Sequence, residues 1–238
     1  MGQVVEKKYG QLKVRVVGSP KPKRWIVLCH GYGAPGTDLV PLADELMRTN
    51  PRLRKDTLFM FPEAPLTLNM GMPGMDSRAW WHIDIGRFER AIQSGDLRSL
   101  TNNEPPGLAK ARGLLQETLH EAATDLGLPM KELILGGFSQ GAMLTTDLAL
   151  RMEEGPKRLC ILSGTLINAK GWEALAKKKK PMDVFQSHGK DDPILPFQVS
   201  IWLRDMLVEK KHDVYFSEFK GGHGIPASVL KEMGAFIP

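Results

Sequence analysis

No run in these 238 residues stays apolar for the roughly 18 positions that a membrane-spanning helix needs, so no stable membrane insertion is expected. Cysteine is scarce. Cys29 and Cys160 each sit inside an apolar run, which points to reduced core thiols rather than a disulfide framework. The opening M-G-Q-V-V-E-K-K-Y-G lacks the apolar centre of a secretory signal, and position 6 is Glu where a myristoylated Gly2 calls for Ser or Thr. A cytoplasmic location is the expectation. No two histidines have helical ligand spacing and the cysteines are isolated, which disfavours a metal hydrolase. Phosphate-loop and dinucleotide fingerprints are absent too.

An excess of one charge sign is also largely missing. Of the formal net charge of +5, the run Lys177 to Lys180 accounts for four. Such a run before Pro181 reads as a solvated helix end, and no recognition motif accompanies it, so no nucleic-acid partner is expected. The remaining composition, 42% hydrophobic and 25% charged, is that of an ordinary globular chain. The length suits a single domain over residues 1–238 that buries about 70–75% of its unfolded surface.

What the chain does have is Leu133 to Leu150, L-I-L-G-G-F-S-Q-G-A-M-L-T-T-D-L-A-L. Leu133 to Leu135 read as a strand buried on both faces, and Ala142 onward as a helix. Between them, Gly137-Phe138-Ser139-Gln140-Gly141 is a G-x-S-x-G pentapeptide. A strand turning sharply into a helix strains its central residue, and flanking glycines relieve the crowding, so the Ser139 hydroxyl is held at the tip. Chance supplies the pentapeptide in roughly one chain in ten of this length; the strand before it and the helix after it are what mark a nucleophile.

The rest of the chain alternates strands with helices. Val4 to Lys8 and Leu12 to Val17 suit a hairpin, Trp25 to Cys29 is the first fully apolar strand, and a helix follows from about Asp38 to Arg48. Thr57 to Phe61 is another strand, and Leu66 to Pro106 is the least regular part. Apolar residues at 108, 111, 115, 119, 122 and 126 predict a long helix over 107–126. Strands follow at Arg158 to Leu162, Val184 to Ser187 and Val214 to Phe219, with helices at Ala169 to Lys179, Pro196 to Lys210 and Pro226 to Phe236. The fold class expected is α/β, a mostly parallel doubly wound sheet with an irregular insertion around 66–106 and its site beyond the carboxyl ends of the strands.

A serine nucleophile needs a base, and the base an acid to orient it, in the chain order Ser, Asp or Glu, His. Of six histidines, His120 and His212 read as solvated, and His82 and His188 could serve only locally. His223 alone follows the last strand, in Gly221-Gly222-His223-Gly224. The acid comes from His188-Gly189-Lys190-Asp191-Asp192-Pro193, where Pro193 restricts Asp192 to extended geometry and so favours it over Asp191. Backbone amides of Gln140 and of Tyr32, in H-G-Y-G, are the candidate oxyanion donors. The Tyr32 side chain could equally be a pocket wall. Met70, Met72, Met75, Trp80 and Trp81 are the candidate substrate-binding residues, as an adaptable apolar groove; covering a sheet edge is the alternative.

The motifs L-C-H-G-Y-G, F-P-E-A-P, A-W-W-H-I-D, G-F-S-Q-G-A, L-S-G, H-G-K-D-D-P-I-L-P and G-G-H run through nearly the whole chain. In this order they resemble the carboxylesterase/lysophospholipase branch of the α/β-hydrolases, which includes the acyl-protein thioesterases. The resemblance implies Ser139, Asp192 and His223 as a triad and Gln140 and Tyr32 at the oxyanion positions. It also implies hydrolysis of a small-molecule ester or thioester without cofactor or metal, with a short or medium acyl chain. The chain departs from the family at Trp80-Trp81-His82-Ile83-Asp84, where Trp-Phe-Asp is common, and in a longer, more polar stretch from Arg87 to Pro106. A binding protein on the same scaffold and an acyltransferase sharing the acyl-enzyme are the rival readings.

Overall fold

The computed structural model describes residues 3–69 and 76–238. Its strands are β1 Val5–Tyr9, β2 Leu12–Gly18, β3 Arg24–Cys29, β4 Thr57–Pro62, β5 Leu66–Leu68, β6 Ser77–Ala79, β7 Leu133–Phe138, β8 Arg158–Leu162, β9 Asp183–Gly189 and β10 Asp213–Phe219. Its helices are α1 Pro41–Thr49, α2 Leu53–Asp56, α3 Ile85–Ser94, α4 Leu108–Leu126, α5 Gln140–Arg151, α6 Ala169–Ala176, α7 Phe197–Glu209 and α8 Ala227–Phe236. Among the described residues, eight strands form one sheet in the order β1-β2-β4-β3-β7-β8-β9-β10. The pairs β1/β2 and β2/β4 are antiparallel, and from β4 onward every neighbouring pair is parallel.

The apolar runs are continuous because both faces of the sheet are covered. Side chains alternate across a strand, so Trp25, Val27 and Leu135 join one core with α4, α5, α6 and α7. Ile26, Leu28 and Ile134 join a second core with α1 and α8. The terminal strand β1 carries Glu6, Lys7 and Lys8, all exposed, as suits an unpaired edge.

Strand β3 has β4 on one side and β7 on the other, so the chain crosses over β3 between them. The loops after β3 and β7 therefore part at the carboxyl ends of these strands and open a crevice, the usual ligand position of such sheets. Loops after β8, β9 and β10 emerge at the same end because these strands run parallel.

The expected mostly parallel α/β sheet is present, with shifted boundaries. The first helix starts at Pro41, whose missing N–H costs nothing in a first turn, and not at Asp38. The serine helix starts at Gln140, two residues before the expected Ala142. α6 ends at Ala176, ahead of the lysine run. The stretch over 66–106 holds more structure than its sequence promised: β5 and β6 pair antiparallel, Leu66 to Ala79, α3 follows with Asp84 accepting the Arg87 N–H at its start, and a 3₁₀ turn spans Leu97–Thr101.

Candidate active site

The turn at Ser139 is built by what its neighbours lack. A side chain on Gly141 would collide with the Cys29 carbonyl, and one on Gly137 would lie 2.7 Å from that same oxygen. Both glycines let α5 pack hard against the end of β3. Ser139 itself adopts φ 54°, ψ −118°, a strained conformation for a residue with a Cβ. Its N–H donates to the Leu162 carbonyl at 2.9 Å, and its side chain stays partly exposed at the crevice.

Asp192 and His223 meet across the ends of β9 and β10. Gly189 gives room for the backbone of Gly221 and Gly222 to cross it, and the Asp191 N–H donates to the Gly221 carbonyl at 3.0 Å. Nδ1 of His223 lies 2.7 Å from Oδ2 of the buried Asp192. The other carboxylate oxygen, Oδ1, accepts the N–H groups of Ile194 and Leu195, both at 2.9 Å. Burial works against the charged form of Asp192, but hydrogen bonds from His188, His223 and the Leu195 amide outweigh it and hold the carboxyl well below the usual range. Asp191, by contrast, is exposed.

The His223 ring is placed against the serine turn by contact and by backbone ties. It packs on Phe138, the residue before Ser139, with ring centroids 4.7 Å apart. Ser163, at the end of β8 and with φ 48°, donates from Oγ to the Gly224 carbonyl at 3.1 Å and so tethers the histidine loop. No hydrogen bond joins Ser139 to His223 among the described residues; catalytic hydrogen bonds are often long before substrate binds.

On the other side of the serine lies the loop after β3. A side chain at Gly31 would stand 3.2 Å from the Ser139 Cβ, so this loop borders the nucleophile directly. The Tyr32 N–H has no protein acceptor among the described residues, whereas Gly33 N–H donates to the Arg78 carbonyl at 2.8 Å. Gln140 opens α5, where the first N–H groups lack intrahelical acceptors and the helix dipole favours negative charge. Two free amides thus flank Ser139.

Behind them the loop is braced from β4 and β6. His30 is buried and its Nε2 accepts the Ala64 N–H at 3.1 Å, which leaves Nδ1 to donate to the Gly31 carbonyl at 2.9 Å. Burial lowers the pKa of His30, in keeping with this uncharged role. Glu63 pairs with Arg15 at 2.7 Å and with Arg78 at 3.4 Å.

Trp80 and Trp81 correct the sequence reading. Both are buried in the core, at 2% and 3% exposure, and neither offers an open groove wall. The Gln140 side chain explains why: its Oε1 accepts the Trp80 N–H at 2.9 Å and its Nε2 donates to the Trp81 carbonyl at 2.8 Å. The Trp80 indole donates to the His30 carbonyl at 2.9 Å. The tandem tryptophans therefore lock the serine helix to the loop after β3. Met70, Met72 and Met75, the other candidate groove residues, lie outside the described residues. His212, read as solvated, is buried instead and accepts the Met182 N–H at 3.1 Å on Nδ1, closing the gap ahead of β9 and β10.

Other nucleophiles are unsuited to the task. Cys29 and Cys160 are buried and unpaired, and burial pushes the Cys160 thiol up to about 12 and that of Cys29 higher still. No group of three or more metal-ligating side chains occurs among the described residues. Ser163, His30 and His188 were not picked out as supports by the sequence reading. The signal available for the two histidines was the His-Gly pair that each forms at the end of an apolar strand.

Comparison with known proteins covers most of the chain. A family model described as phospholipase/carboxylesterase matches residues 13–238. The acyl-protein thioesterase 1 of Kluyveromyces lactis is 28% identical over 231 residues, which is 94% of this chain and 95% of that protein. That of Saccharomyces cerevisiae is 27% identical over 239 residues, 94% of this chain and 96% of that one. The crystal structure of esterase PE8 superposes with a TM-score of 0.77 at 26% identity, covering 95% of this chain and 97% of the other.

Proposed function

The chain belongs to the phospholipase/carboxylesterase family, and from that premise we propose that Ser139, His223 and Asp192 form the triad of a hydrolase acting on carboxylic esters and thioesters. The observation that carries the assignment is the 2.7 Å contact between His223 Nδ1 and the buried Asp192, at the crevice where Ser139 sits in its strained turn.

In the reaction, Nε2 of His223 takes the Ser139 hydroxyl proton as Oγ attacks the substrate carbonyl carbon. The tetrahedral oxyanion is held by the amides of Gln140 and Tyr32. Collapse breaks the bond to the leaving alcohol or thiol, which receives the proton from His223 and leaves an acyl-serine. Water then repeats the sequence, giving its proton to His223 and releasing the acid and the free serine. Asp192 keeps its proton off throughout, so its charge stabilises the imidazolium at each step. No cofactor takes part.

A binding protein on this scaffold would not need the His223–Asp192 pair, and acyl transfer would need water kept from the acyl-enzyme. We take residues 1–238 to act as one hydrolase domain in a cytoplasmic setting, which suits two buried thiols, on a small-molecule ester or thioester. No described helix is long and apolar enough to cross a membrane. The test is a panel of p-nitrophenyl esters and acyl-thioesters of increasing chain length, read for the wild type and Ser139→Ala. A loss on the order of 10⁴-fold in kcat is expected for the variant across the panel. Turnover retained by Ser139→Ala would move the nucleophile elsewhere.

A further inference from the structure

Asp192 is touched by a second histidine that the reaction as described does not use. His188, the residue before the last in β9, is fully buried, and its Nε2 lies 2.8 Å from the Leu195 carbonyl and 3.2 Å from Asp192 Oδ2. Both neighbours are acceptors, so the ring hydrogen sits on Nε2 and is shared between them. Nδ1 is buried with no hydrogen-bond partner among the described residues. An unpaired buried nitrogen is costly, so the contacts made by the other nitrogen have to offset it.

The contacts close a ring. His188 Nε2–H reaches the Leu195 carbonyl, the Leu195 N–H donates to Asp192 Oδ1, and Asp192 Oδ2 returns to His188. Asp192 therefore faces four donors, two amides on Oδ1 and two imidazoles on Oδ2, which fills the acceptor sites of a carboxylate. The loop that carries the acid is clasped at its base by β9, and the carboxylate is turned so that Oδ2 faces the loop after β10.

We infer that His188 is a positioning residue for the hydrolase: its Nε2–H fixes Asp192 and Leu195 in the orientation that receives the His223 ring. The inference rests on the triad reading given above. It has two consequences. Loss of the donor frees the carboxylate to turn, which lowers the rate of the chemical step more than it weakens substrate binding. It also loosens the contact of Oδ2 with His223, so the protonated ring is less stabilised and the acid limb of activity moves to lower pH.

The charged groups nearby do not compete for this effect. Lys190 pairs with Glu218, and Glu63 pairs with Arg15 and Arg78 on the far side of the serine. Asp191 is exposed to solvent. His188 and His223 are the titratable groups recorded against Asp192 among the described residues. The His223 ring faces Asp192 on one side and Phe138 on another.

The experiment compares His188→Phe, His188→Asn and His188→Gln with the wild type, using p-nitrophenyl butyrate from pH 5 to 9. Phe has no donor, and the Asn amide stops near the Nδ1 position, short of both acceptors. Each should lower kcat roughly 10- to 100-fold, leave KM within about threefold, and shift the acid limb down by roughly 0.5 to 1 pH unit. The Gln amide reaches the Nε2 position and should reverse most of both changes. If Phe does not fold, Asn and Gln still decide the matter. Rates within twofold of wild type for the folded donorless variant, a loss of rate with an unmoved or raised acid limb, or no rescue by Gln would each overturn the proposal. Ser139→Ala run in parallel separates the two readings: retained turnover there fails the triad itself, whereas an unmoved His188 series with Ser139-dependent turnover fails the positioning role alone.

Discussion

At residue 139 the backbone takes φ 54° and ψ −118°, a conformation that costs about 1–3 kcal/mol for any residue with a Cβ. The cost is offset because the turn aims a hydroxyl into the crevice with the N-terminus of α5 beneath it. Gly137 and Gly141 make the geometry possible, and this much was legible in the pentapeptide, since glycine is what backbone crowding selects. That Asp192 and not Asp191 meets His223 was legible through Pro193, which holds the residue before it extended. Asp192→Asn is expected to lower kcat by roughly 10³- to 10⁴-fold, because the amide no longer fixes the His223 tautomer; the exposed Asp191→Asn should stay within about threefold. Initial rates on one p-nitrophenyl ester compare them, and the reverse order would move the acid by one residue. The tandem tryptophans were misplaced for a physical reason. Aromatics in an irregular segment suit a groove or a core equally well from sequence, and only the bidentate contact of Gln140 with the backbone of Trp80 and Trp81 turns them inward.

The loop carrying Tyr32 is a short connection that owes its shape to other elements. β6 lends it the carbonyl and N–H of Arg78, the segment just after β4 lends Glu63 and Ala64, and His30 stands just after β3. None of these long-range pairings leaves a periodic trace in the sequence, which is why β5, β6 and α3 went unread within 66–106. Three-residue strands carry too little alternation to be recognised. By contrast α4 was legible almost to the residue, because 19 residues repeat one buried stripe through Leu108, Leu115 and Leu119. The brace makes a prediction at this scale. Glu63 is 6% exposed between two guanidinium groups, so Glu63→Gln leaves both with reduced compensation. A loss of about 3 kcal/mol in urea unfolding is expected, with kcat reduced more than KM is changed. Wild-type stability with wild-type kcat would show that the loop holds itself.

Across the whole molecule, the site is assembled from the carboxyl ends of β3, β7, β8, β9 and β10, so the geometry of the proposed triad and global folding are coupled. That coupling should show in acid. The folded-state pKa of Asp192 is depressed, so its contribution to stability is present above the unfolded value near ~3.9 and is lost as pH falls through the folded value. Thermal unfolding of wild type against Asp192→Asn should therefore differ most above about pH 5, and the difference should shrink steadily as pH falls below about 4. A constant difference down to pH 2 would mean that the carboxylate gains nothing from its four donors. Because Asp192 stays ionised well below neutrality, its own protonation does not account for any fall in activity between pH 7 and 5. The strand order itself was beyond sequence reading, since alternation fixes which segments are strands but not that β3 lies between β4 and β7.

The claim on which the rest depends is that the reactive atom is Oγ of Ser139, activated by His223. Incubation of the folded protein with a fluorophosphonate, followed by intact-mass measurement and peptide mapping, tests it most directly. One adduct per chain is expected, on the peptide containing Gly137-Phe138-Ser139-Gln140-Gly141, and labelling should slow by several orders of magnitude in His223→Ala. An adduct on any other residue, or labelling of Ser139 at the same rate without His223, would contradict it.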